Sequence, residues 1–129
     1  MQKELFAQII KNAYAVVLEI DDVIDRIEYD DIDLINNYKR LGPNLFNHVN
    51  VDLDEPWTPK YIRRIVAARD CSVDIRVKTA FFYHRGHISE QEATMIISKC
   101  DKIAKWCNEL IRQMLNNRNI MLTEYQPWT

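Results

Sequence analysis

Glycine and proline are scarce in this chain. Its 129 residues include two glycines, Gly42 and Gly86, and four prolines, Pro43, Pro56, Pro59 and Pro127. An all-β fold needs a turn signal roughly every ten residues, and too few breakers are present for that. Long apolar runs are also missing. None approaches the roughly 20 residues of a membrane span. The stretch from Met1 to Phe6 opens directly in an amphipathic pattern, without the apolar core of a signal peptide, so a cytoplasmic location is expected. Neither sign of charge prevails. Seventeen Lys and Arg stand against nineteen Asp and Glu, a net charge of -2, so no global positive field draws the protein to nucleic acid or membrane. The three cysteines, Cys71, Cys100 and Cys107, have no metal-type spacing, and an odd count in a cytosolic chain points to free thiols.

The remaining pattern is helical. The length fits one domain, able to bury roughly two thirds of its unfolded surface. Phe6, Ile10, Ala13, Val17, Ile20, Ile24 and Ile27 recur at spacings of three and four, which predicts a first helix over about 2–28. Val16, Leu18 and Val23 widen that seam. A second, shorter helix carries Leu34, Tyr38, Leu41 and Leu45 on one face, with Asp30 or Asp31 as its cap. Pro43 falls inside it and is expected to kink or divide it. An acidic loop follows, from Asn50 to Trp57.

Thr58 and Pro59 suit the cap and first position of a third helix. Its stripe is Tyr61, Ile65, Ala68, Ser72, Ile75, Thr79 and Phe82, with Ile62, Val66, Val73 and Val77 beside it. Residues 73–77 also alternate apolar with polar, which leaves a strand open there. Gly86 suits the position after the helix end. Ser89 to Glu92 forms a capping box for a fourth helix, whose seam is Ile96, Cys100, Ile103, Cys107, Leu110 and Met114. The whole reads as an all-α, antiparallel up-down-up-down four-helix bundle, left-handed because the seams repeat every 3.5 residues. The bundle spans 1–116, with an irregular tail over 117–129.

Several segments share a register with a known family. Arg40-Leu41-Gly42, Val49-Asn50, Tyr61-Ile62, Ala68-Arg69, Asp74-Ile75 and Gly86-His87-Ile88-Ser89-Glu90 fall in place without gaps, as do Ile103, Lys105, Asn108, Leu110, Ile111 and Arg112. Over about 34–112 the chain resembles the small four-helix-bundle proteins encoded in intervening sequences of bacterial 23S ribosomal RNA genes. Their relatives include the accessory variability proteins of diversity-generating retroelements. Pro43 departs from that pattern, and the first helix and acidic loop lie outside it. The resemblance implies a bundle that assembles into a homo-oligomeric ring, typically a pentamer, with no enzymatic activity and no cofactor. It also implies that a reverse transcriptase and nucleic acid can be partners of such a protein.

The candidate site residues are basic. Lys60, Arg63, Arg64, Arg69 and Arg76 make the third helix positive, and the first three cluster at its start, where a helix N-terminus favours phosphate. Solvated faces and bridges between helices explain the same pattern. Trp106, one position off the fourth seam, and Tyr83 are the aromatics suited to a subunit interface.

Other chemistries fit less well. Asp21, Asp22, Asp25 and Glu28 recur at helical spacing, as in all-helical, magnesium-dependent nucleotide pyrophosphohydrolases. The second helix such an enzyme needs offers only Asp70 and Asp74, four apart. His84 and His87 flank a turn without a third metal ligand. No cysteine has a histidine to activate it. A non-enzymatic scaffold is therefore expected, with no metal. The alternatives are that hydrolase, or a phage- or immunity-type regulator that binds protein through its acidic face.

Overall fold

A computed structural model describes residues 2–28, 31–50 and 59–117. Nearly all of them are helical: α1 (Gln2–Ile24), α2 (Ile32–Val49), α3 (Pro59–His84) and α4 (Glu90–Asn117). There is no strand among the described residues, and residues 73–77 lie inside α3. α1 packs against α2 and α4, and α3 packs against the same two, so the four helices enclose one apolar core. None of the described helices is long and apolar enough to cross a membrane. Asp30, Thr58, the acidic loop after Asn50 and the tail from Arg118 fall outside the described residues.

The ends of the helices follow from local chemistry. Asp31 caps α2 and accepts from the Leu34 N–H at 3.1 Å. α3 ends in a Schellman motif. Gly86 takes φ +80, its N–H donates to Tyr83, and the His87 N–H donates to Phe82 at 2.9 Å. The His87 ring supplies the accompanying contact, 6.2 Å from that of Phe82. The capping box of α4 is complete, with Ser89 and Glu92 exchanging two bonds of 3.1 Å.

α1 departs from expectation in two ways. It stops at Ile24 rather than continuing to Glu28. The Arg26 guanidinium takes the Asp22 carbonyl at 3.2 Å, which the Arg26 N–H would occupy in a longer helix. That N–H turns instead to Val23 at 3.0 Å. The buried seam is also rotated. Phe6, Ile9, Ala13, Val16, Ile20, Val23 and Ile27 are buried, and so is Ile24 of the expected seam, whereas Ile10 and Val17 are only half-buried and Leu18 is exposed. Either seam has the 3–4 spacing, and only the neighbouring helices select between them. The stripes of α3 and α4 are buried throughout as read from the sequence, but Val73 and Val77 point outward.

Pro43 does not divide α2, which runs unbroken past it. A proline inside a helix costs about 3 kcal/mol. Burial of Tyr38, Leu41, Leu45 and Val49 on one side of the same helix offsets that loss. Gly42 lies on this face, against α1. A Cβ there would sit 3.3 Å from Val17 Cα, which is backbone and cannot swing aside.

One polar pair is sealed in the core. Thr79 is fully buried, and its hydroxyl donates to the Ile75 carbonyl at 2.7 Å. Its single proton is thereby used, so the Tyr38 hydroxyl donates to Thr79 Oγ1 at 2.8 Å. Burial raises the Tyr38 pKa, which keeps the donor protonated.

Two stability changes are expected. Gly42→Leu should force α1 and α2 apart and destabilise the fold by about 1–3 kcal/mol, read as a lower urea midpoint. Tyr38→Phe should cost about 1 kcal/mol, because Thr79 Oγ1 loses its only donor in a dry site. An unchanged midpoint in either variant would contradict the corresponding contact.

Candidate nucleic-acid interface

The five basic residues of α3 separate into two groups once the helices are packed. Lys60 and Arg63 stand one turn apart at the start of α3, both exposed. Neither makes a hydrogen bond or ion pair among the described residues. They share the helix end where free backbone N–H groups and the helix dipole favour anions.

The other three are committed to neighbouring helices. Arg64 is half-buried and donates to the Asn47 and His48 carbonyls, the second at 3.4 Å, closing the C-terminal turn of α2. Arg69 donates to Asp70 and to Asn108 of α4, both at 3.1 Å, and its side chain is 12% exposed. Arg76 pairs with Asp101 of α4 at 2.8 Å, with both partners half in water. Arg76 is thus the only one of the three still open to a further ligand. Lys105 belongs beside it, since Asp101, Lys105 and Asn108 share the α4 edge turned to α3, and Lys105 is exposed. Its i+4 and i−3 spacing from those two residues was a usable signal, once the edge facing α3 was known.

The acidic side is organised by pairs as well. Glu19 accepts from Lys99 of α4 at 2.5 Å, and Arg26 pairs with Glu92. The Arg26 guanidinium holds the Glu92 carboxyl below its usual pKa, helped by the Ser89 backbone and hydroxyl. Between these pairs lies a shallow groove floored by Val23 and Ile96. Asp21, Asp22 and Asp25 remain exposed. Asp70 and Asp74 lie on α3, which is not a packing neighbour of α1, so the two carboxylate sets do not converge. Among the described residues no three His, Cys, Asp or Glu side chains gather as a metal site.

The remaining candidates lie at the end of α3 and along the edge of the core. His84 is exposed, with its ring 5.1 Å from Tyr83, and His87 serves the α3 cap. Tyr83 and Trp106 are half-buried and pack against the core from its edge. Burial pushes the Cys71 thiol up to about 11 and the Cys107 thiol up to about 12, so neither is a ready nucleophile. Comparison with protein families, curated proteins and solved structures finds no match for the chain.

Burial, and secondarily the Arg64 charge, lowers the His48 pKa below 6.5. The native state therefore prefers the neutral ring. Its stability is complete above 6.5 and declines as pH falls through the lowered value. NMR titration of the His48 ring should give a midpoint below 6.5, moving upward in Arg64→Gln; a midpoint at or above 6.5 in the wild type would contradict this packing.

Proposed function

We propose that the chain is a non-enzymatic, homo-oligomeric accessory protein of the cytoplasm, which meets nucleic acid through the start of α3. The observation that carries this reading is the pair Lys60 and Arg63, exposed beside a helix N-terminus and without an ion pair among the described residues. A protein that handles nucleic acid is the alternative partner for the same end. The resemblance to the intervening-sequence and retroelement accessory proteins supports the reading.

The finer architecture belongs with this proposal. Along α1 and α4, Glu19 meets Lys99 and the later Arg26 meets the earlier Glu92. Arg69 and Arg76 meet Asn108 and Asp101 in the same opposed order, as do Tyr38 and Arg64 with Thr79 and His48. An antiparallel, up-down-up-down bundle accounts for all of these pairs. The 3–4 spacing of its seams favours the left-handed form.

Gel-shift titration with RNA and DNA at moderate salt tests the contact. Lys60→Glu with Arg63→Glu should weaken binding by at least about tenfold and flatten its salt dependence. Arg64→Gln should act instead on stability, by uncapping α2. Equal binding by wild type and the charge-reversed variant would remove α3 from the contact.

A further inference from the structure

The outward faces of α1 and α3 match each other. Each carries two exposed apolar residues one turn apart: Tyr14 (54%) and Leu18 (46%) on α1, Val73 (46%) and Val77 (57%) on α3. On α1 that pair is preceded by Lys11, and Asp25 follows seven residues after Leu18, in the turn just past the end of the helix. On α3 it is preceded by Asp70 and followed, seven residues after Val77, by His84 and then Arg85. The two stripes have the same spacing, and their charges are opposite at each end. At the outer limit Glu4 stands where α3 has Arg63. All of these residues are exposed.

We propose that α1 of one copy docks along α3 of the next, in parallel, with Tyr14 on Val73, Leu18 on Val77, Lys11 on Asp70 and Asp25 on His84 and Arg85. This inference rests on the homo-oligomer reading above and names the surface that makes it. Asp70 also accepts from Arg69 of its own helix, an exposed pair that leaves its second carboxylate oxygen available to Lys11.

The register agrees with the geometry of a single copy. Glu19 of α1 with Lys99 of α4, and Arg26 of the turn after α1 with Glu92 of α4, have numbers that add to 118. Partners on α3 and α4, Arg69 with Asn108 and Arg76 with Asp101, add to 177. A residue of α1 is therefore level with the α3 residue 59 positions later. Lys11 to Asp70, Tyr14 to Val73, Leu18 to Val77 and Asp25 to His84 are all separated by that same 59. Copies joined in this register stand side by side at one height. The step from copy to copy then has no rise along the bundle axis, which is the condition a closed ring requires and a helical filament does not meet. α1 and α3 are not packing neighbours within the bundle, so one copy offers both surfaces at once. All α3 starts then lie on one side of the assembly, which gathers the Lys60 residues of every copy there.

The test uses the intact chain. Light scattering should give a multiple of the single-chain mass, reduced to the single-chain mass by Lys11→Asp and restored when Asp70→Lys is added. Tyr14→Cys combined with Val73→Cys should form a ladder of disulfide-linked multimers on mild oxidation, with neither single substitution extending beyond a dimer. The substituted side chains are exposed, and circular dichroism should show unchanged helicity. An oligomer that keeps its mass in Lys11→Asp and forms no ladder overturns this interface while leaving the homo-oligomer reading standing. A wild-type monomer overturns both.

Discussion

Each helix buries one stripe of apolar side chains spaced alternately by three and four, and the position of every charged group follows from where that stripe points. Burial of a large aliphatic side chain contributes about 1.5–3 kcal/mol, whereas an exposed ion pair contributes about 0–1 kcal/mol. The seams therefore set the rotation of each helix, and the ion pairs form where rotation leaves them. The pairs of Arg76 with Asp101 and of Arg26 with Glu92 are consequences of packing in this sense. Two features narrow the arrangement further. Gly42 permits α2 to approach the α1 backbone closely, and the Tyr38–Thr79 bond sets the level of α2 against α3. A slip of one turn there would strand a buried hydroxyl, at a cost of about 1–3 kcal/mol.

The same logic divides the basic residues of α3. In sequence they form one group of like charge. In the fold, Arg64 finishes α2, Arg69 reaches Asn108, and Arg76 shares Asp101, so only the start of the helix keeps its charge unpaired among the described residues. A surface that resembles a phosphate-binding stripe is thus largely internal wiring, and what remains is a compact basic end. The exposed apolar residues behave in the opposite way. Val73 and Val77 resemble core in the sequence and belong to the outside, where they align with Tyr14 and Leu18.

Legibility varied along the chain for physical reasons. α3 and α4 carry polar residues, helix caps and Gly86 in places that leave one buried face possible, and their stripes were readable in full. α1 is apolar at 9, 10, 16, 17, 23 and 24, so two seams with equal spacing coexist in it. Its buried face depends on where α2 and α4 lie. Pro43 was readable as a defect, but whether it divides α2 depends on tertiary burial outweighing a local cost. Of the candidate site, the residues were visible and their commitments were not, because a guanidinium reaches partners 17 or 39 positions away as readily as it reaches solvent.

The sequence by itself determined that the described residues are helical, how α3 ends at Gly86 and α4 begins at Ser89, and which face of α3 and of α4 is buried. Those properties depend on residues within a few positions of one another, through 3.6-residue periodicity and backbone hydrogen bonds. Only the tertiary structure decided which α1 seam is inside, how closely α1 and α2 approach at Gly42, and which arginines of α3 remain unspent. Each of those depends on what a distant segment places alongside, and no local pattern records that.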